Sequence, residues 1–150
     1  MKLAEALNER KELQSRLDRL HERLTANVRV QEGDAPSESP DALFALLDET
    51  STALQTLIVR IARTNVETVL EGRTLADWVA ERDVAQRRFN ILRDVLDTAA
   101  RRTERRSATD IRIVSTIDVA ARQKALDALA VRIRAIDATV QAANWTTELL

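Results

Sequence analysis

The sequence contains no cysteine. That excludes disulfides, thiol nucleophiles and thiolate metal sites, and it fits a reducing, cytoplasmic setting. Histidine occurs once, at His21. One imidazole without thiolates cannot build a zinc set within a chain, and Asp48, Glu49, Asp94 and Asp97 read as ordinary helix-surface acids, so no metal is expected. The two glycines, Gly33 and Gly72, are too few for a phosphate-cradling loop. No serine stands in an elbow motif beside His21, and nothing selects a carboxylate pair for acid/base work. No catalytic residue and no cofactor are therefore expected, and the chain reads as a non-enzyme. Aromatics are limited to Phe44, Trp78, Phe89 and Trp145, which leaves almost no stacking platform for bases or sugars. Neither sign of charge dominates, with 23 Lys+Arg against 24 Asp+Glu. Such a balance gives no general attraction to nucleic acid or to an anionic membrane. The segment Met1 to Glu5 lacks the apolar core of a signal peptide. The longest apolar run, Ala42 to Leu47, falls far short of the roughly 20 residues of a membrane span. The expectation is a soluble cytoplasmic protein.

What is present is helix. With two glycines and two prolines in 150 residues, long helices can run uninterrupted. Four segments carry an apolar stripe at alternating three- and four-residue spacing. The first, about 2–26, has the seam Leu3, Ala6, Arg10, Leu13, Leu17, Leu20 and Leu24. The second, about 40–64, has Leu43, Leu47, Thr50, Leu54, Leu57 and Ile61, flanked by Leu46 and Ile58. Ser39 suits its cap, Pro40 its first position and Asp41 its first turn. The third, about 75–102, opens on a capping box, Thr74-Leu75-Ala76-Asp77. Its seam is Leu75, Trp78, Arg82, Ala85, Phe89, Leu92, Leu96 and Ala99. The fourth, about 117–144, has Val119, Arg122, Leu126, Leu129, Ile133, Ile136, Val140 and Ala143.

Helices of similar length, each roughly 37 Å at 1.5 Å per residue, predict an all-α fold. The expected form is an antiparallel four-helix bundle, a single domain over 1–150, with coiled-coil-like seams and a small two-stranded β-ribbon at one end. Val28 to Gln31 and Ile111 to Ser115 both alternate, and an up-down order would bring them to the same end. They are the expected partners in the ribbon, which leaves Val66 to Leu70 alone at the other end.

Arg10, Arg82 and Arg122 interrupt the seams. The favoured reading is a long side chain near a helix end that reaches out to water. The second is a polar layer fixing register, with Glu9, Asp83 and Asp137 as the nearest acids; the third is an anion or ligand site. Thr64, Asn65, Asp83, Thr116, Asp118 and Trp145 complete the candidate ligand or network residues. Asp118 also reads as a first-turn acid behind a Ser115 or Thr116 cap, and Trp145 as a residue closing the core or an interface. His21 reads as a surface or boundary residue. Arg101, Arg102, Arg105, Arg106 and Arg112 form the strongest basic run. Glu104 and Asp110 interrupt it and no aromatic is interleaved, so nucleic-acid binding is not expected.

Five stretches in order carry a family resemblance. They are Ile61-Ala62-Arg63-Thr64-Asn65, Thr74-Leu75-Ala76-Asp77, Glu81-Arg82-Asp83, Val114-Ser115-Thr116-Ile117-Asp118-Val119 and Ala143-Asn144-Trp145-Thr146-Thr147-Glu148-Leu149. Together they resemble a family of small bacterial helical proteins, some of which carry the name septicolysin. Ala62 departs from the polar residue expected between Ile61 and Arg63. The name implies a cytolysin, but the resemblance carries no active residue over. Narrow seams matched to helix partners argue against a lipid-facing surface. The expectation is a non-catalytic assembly or interaction protein, a cytoplasmic homo-oligomer without nucleic-acid or membrane partners and with no small-molecule ligand identified. The alternatives are a membrane-active cytolysin-like toxin, and a ligand-binding or enzymatic bundle using the polar seam residues.

Overall fold

The computed structural model describes residues 1–101, 111 and 113–150. Among them lie helices α1 (Leu3–Asn27), α2 (Pro40–Glu67), α3 (Leu75–Ala100) and α4 (Val119–Thr146). Strands β1 (Val69–Leu70) and β2 (Arg73–Thr74) separate α2 from α3. The all-α class with a small antiparallel ribbon is thus as the periodicity predicts, and each helix limit falls within three residues of the expected one. The chain divides into two compact units, Met1–Leu75 with Ala142–Leu150, and Ala76–Gln141.

In the first unit the seam residues of α1 are the ones withdrawn from water. Leu3, Ala6, Leu20 and Leu24 are buried, and Arg10, Leu13 and Leu17 half-buried. On α2 the buried set is Leu43, Thr50, Leu57, Ile61 and Thr64. Leu20 and Leu24 pack on Leu43, with Leu46 and Leu47 against them. The end of α1 therefore meets the start of α2, and the two run antiparallel. Burying each such leucine contributes roughly 1.5–3 kcal/mol. Ser39 caps α2, its Oγ accepting from Ala42 N at 3.4 Å, with Pro40 in the first turn.

The connection between α1 and α2 is tied back by polar contacts. Buried Asn27 accepts from Glu38 N at 2.9 Å and donates to the Arg23 carbonyl at 2.9 Å. Arg23 Nε donates to Glu38 Oε2 at 3.0 Å. This hydrogen bond holds the Glu38 carboxyl below its ordinary range and raises Arg23. Val28 to Gln31, expected in the ribbon, is irregular. The expected partner segment, Ile111 to Ser115, forms no strand at its described residues, and Arg112 lies outside them.

The ribbon instead forms from the stretch expected to lie alone. Val69 pairs with Thr74 and Leu70 with Arg73, and Leu75 N donates to the Thr68 carbonyl at 2.8 Å. The reason is local. Glu71 and Gly72 both have positive φ, 51° and 77°, the backbone of a two-residue hairpin turn that matches strand twist. Joining strands two residues apart costs far less chain entropy than joining segments on separate connections.

Residues 147–150 close the same unit. They run antiparallel to the chain start, with Leu3 N donating to the Thr147 carbonyl and Leu149 N to the Met1 carbonyl, each at 2.9 Å. Thr64, 0% exposed, fastens the far edge. Its Oγ1 donates to the Arg60 carbonyl at 2.9 Å and accepts from Leu150 N at 3.1 Å. Arg60 Nε donates to the Leu150 carbonyl at 2.7 Å. Lys2 Nζ lies 2.6 Å from Glu148 Oε1.

In the second unit Trp78 and Leu96 of α3 and Leu126, Ile136 and Val140 of α4 are buried. Glu81 and Arg82, early in α3, reach Arg132 and Asp137 of α4, and the last turns of α3 line a groove with Ile113 to Ile117, which lead into α4, so these helices are antiparallel too. Asp118 itself caps α4, its Oδ1 accepting from Ala121 N at 3.0 Å. This corrects the expected Ser115 or Thr116 cap. Ser115 Oγ instead accepts from Ile117 N at 3.3 Å, a local turn that delays the helix start.

Thr64→Val keeps the shape but removes both hydroxyl bonds; it should lower unfolding stability by about 1–2 kcal/mol and speed amide exchange at Leu150. Gly72→Ala should cost about 1 kcal/mol in urea denaturation, because the added Cβ meets no atom within 4 Å and the loss is conformational. The Lys2 hydrogen bond, then that of the Met1 amino group, holds Glu148 below its ordinary 4.5. Its stabilisation is present above that value and is lost as pH falls through the lower, folded-state one. NMR titration should show the Leu3 and Leu149 amides shifting in that acid range, and Glu148→Gln should abolish the shift.

Candidate functional site

The second unit gathers the densest set of charged side chains near a tryptophan. On α3, Trp78, Glu81 and Arg82 share one helical face, since residues three and four apart are neighbours. On α4, Arg132 and Asp137 flank the fully buried Ile136. Arg132 donates to Glu81 Oε1 from Nε at 2.9 Å and from Nη2 of its guanidinium at 2.6 Å. Its guanidinium carbon also stands 5.7 Å from the Trp78 ring centre, within reach of a cation–π contact. Arg82 donates twice to Asp83 Oδ1, at 3.0 and 2.9 Å, and lies 3.7 Å from Asp137 Oδ1. A cleft of about 310 Å³ opens beside them, lined by Arg82, Asp83, Gln86, Ile133, Arg134 and Asp137.

The chemistry of this cluster is self-compensating. Arg82, Arg132 and Arg134 stand among Glu81, Asp83 and Asp137, so the cleft offers an incoming anion little net charge. Arg82 is held by acids on its own helix and on α4, the geometry of a pair that fixes helix register. Among the described residues no group of three His, Asp or Glu converges on a metal-sized site.

The remaining candidates do not join this cluster. Arg10 is half-buried on α1, and its Nε is buried without a hydrogen-bond partner among the described residues. Arg122 is exposed in the first turn of α4, in keeping with the favoured reading of a long side chain near a helix end that reaches out to water; the heptad count places it in the core only approximately. Thr64 is part of the 147–150 closure, and Asn65 beside it is half-buried on α2. Thr116 lines a separate, mostly apolar groove of about 690 Å³ with Val95, Ala99 and Ile113. Asp118 is a cap. Trp145 is 61% exposed and does not close the core; Leu149, four residues on, is buried instead. His21 is exposed. Of the basic run, Arg102, Arg105, Arg106 and Arg112 lie outside the described residues, with Glu104 and Asp110. Sequence reasoning missed Glu81, Arg132, Lys2 and Glu148. The signals for Glu81 were its place three residues after Trp78 and its presence, like that of Glu148, in a stretch that carries the family resemblance.

The chain belongs to the family described as "Family of unknown function (DUF6847)", whose pattern matches residues 10–149. A solved structure is similar over the whole length, the crystal structure of a functionally unknown conserved protein from Corynebacterium diphtheriae. It is 38% identical, covers 100% of this chain and 99% of its own, and superposes with a TM-score of 0.94. No curated protein matches.

A double-mutant cycle between Arg82 and Asp137 should give a coupling of about 0.5 kcal/mol, as for other solvent-exposed ion pairs. Arg82→Leu should be near neutral for thermal unfolding; a loss above about 3 kcal/mol would mark a buried, indispensable pair instead.

Proposed function

We propose that this protein is a non-catalytic assembly protein that forms a homo-oligomer in the cytoplasm through the outer faces of its helices. The observation that carries the reading is the repeated exposure of large apolar residues on those faces. On α2 these are Phe44, Ile58, Val59 and Val66; on α3 they are Val84, Ile91 and Val95. Single exposed apolar residues are ordinary on any surface. Here they recur at steps of four, seven and fourteen residues, so they align on faces opposite or beside the packed seams. Aligned apolar surface of this kind favours association with another helix. The charged groups support the same reading, because the cluster around Arg82 satisfies itself. A closed symmetric oligomer is the arrangement that most homo-oligomers adopt.

Membrane action is the second reading, in line with the septicolysin resemblance. One observation favours it. Among the described residues α2 is the single helix long and apolar enough, by length and composition, to cross a membrane, which the expectation from apolar runs alone did not foresee. Against it stand Asp48 and Glu49 within the helix and its buried seam against α1.

Sedimentation equilibrium on the purified chain should show reversible association at micromolar concentration, and native mass spectrometry a discrete stoichiometry. A strict monomer up to 100-fold higher concentration removes the assembly reading (on the order of 3 kcal/mol of missing association energy). Leakage of dye from anionic liposomes at micromolar protein would favour the second reading instead.

A further inference from the structure

We propose that α2 is the self-association surface, pairing antiparallel with α2 of a second copy about a two-fold axis at Gln55. This rests on the assembly reading and names its surface. Phe44, Ser51, Gln55, Ile58, Ala62 and Val66 are all exposed and fall on one stripe, since steps of three, four, seven and eleven residues return to the same side of a helix. The stripe lies beside the face that α2 buries through Leu43, Thr50, Leu57 and Ile61. Exposure shows that none of the described residues of its own unit covers it: Phe44 is 49%, Ile58 43% and Val66 60% exposed.

Charge selects the occupant. The first half of α2 carries Asp41, Asp48 and Glu49; the second carries Arg60 and Arg63, with Glu67 at the last residue of the helix, beyond the span from Phe44 to Val66. Asp48, Glu49 and Arg63 make no ion pair among the described residues. A parallel pair would set like charge on like. An antiparallel pair sets Asp48 and Glu49 of each copy beside Arg63 of the other, twice by symmetry. In antiparallel helices each flank faces its own equivalent, and Glu49 and Arg63 lie on the same flank of the stripe.

The register follows from the apolar residues. Phe44 and Val66 lie equally far from Gln55, so each Phe44 meets the Val66 of the second copy. Ile58 and Val59 then meet Thr52 and Ser51. Those partners are small, and Thr52 and Thr56 turn their hydroxyls inward, donating to the carbonyls of Asp48 and Thr52 at 2.9 Å. Hydroxyls bonded within their own helix, and small side chains, permit close helix approach. Gln55 meets itself, and one amide pair on the axis fixes register as a lone polar residue does in coiled coils. An isologous contact of this kind closes at two copies.

The absence of cysteine allows a direct test. Gln55→Cys introduces a unique thiol at the axis, and mild oxidation should yield a disulfide-linked dimer; Gln123→Cys, on α4, should not. Arg63→Glu alone, and Asp48→Arg with Glu49→Arg, should each weaken self-association by about tenfold or more, with helical content unchanged by circular dichroism. Mixing the two variants should restore a heterodimer. If the wild-type chain associates but neither reversal changes its dissociation constant and Gln55→Cys does not cross-link, the α2 surface is wrong while the assembly reading stands. A monomeric wild-type chain overturns both. A monomer whose α2 variants lose binding to anionic vesicles makes lipid the occupant and likewise overturns the pairing.

Discussion

Helices in a folded protein draw most of their stability from covering one apolar face, because propensity adds little per residue and nucleation is costly. Covering the apolar seams is therefore the constraint on which the rest depends. In the first unit it is met by leucine on leucine, Leu20 and Leu24 against Leu43. Direction follows from that contact, since the end of α1 can meet the start of α2 only if the two run antiparallel. The tie between Asn27 and Glu38 then fixes where the connection leaves one helix and enters the next. In the second unit Trp78, Leu126 and Ile136 are withdrawn from water, and the charged contacts to Arg132 and Asp137 sit at the edge of that burial.

Polar groups in the structure divide by what they fasten. Thr64 is wholly buried, and its hydroxyl serves both as donor within α2 and as acceptor for the returning segment 147–150. A buried hydroxyl with both roles filled adds geometric specificity at little desolvation cost. Arg82 and Arg132 spend their guanidinium groups on neighbouring carboxylates. Such exposed pairs contribute little stability, and their value is orientation. Arg10 differs, since its Nε is buried without a partner among the described residues. Exposed apolar residues outside the seams are the surface left over from packing, and they draw the functional reading toward contacts between helices of different copies.

Much of the fold was legible because helical periodicity is a local property. The seam of α1 reads off residue by residue as the buried face, and the Ser39-Pro40-Asp41 start of α2 acts as its chemistry predicts. The ribbon was misplaced because alternation of apolar residues says that a segment suits a strand, not which segment it meets. Glu71 and Gly72 settled that by allowing two positive φ angles in succession. The heptad count places Arg122 in the core only approximately, because it carries no information about where packing ends. The polar contacts were less legible. Glu81 with Arg132, and Lys2 with Glu148, join residues far apart in sequence, and no local pattern encodes such partners.

The sequence by itself determined four long helices, their buried faces, and the absence of thiols, since composition and a 3.6-residue period decide these directly. Tertiary structure alone decided that residues 147–150 pair with the chain start, and that Trp145 faces water while Leu149 does not. Each of those depends on which surfaces remain to be covered once the helices have packed, a quantity defined only in three dimensions. The same holds for the outer face of α2. Its residues were visible from the start, but their exposure follows only from the packing of α2 on α1.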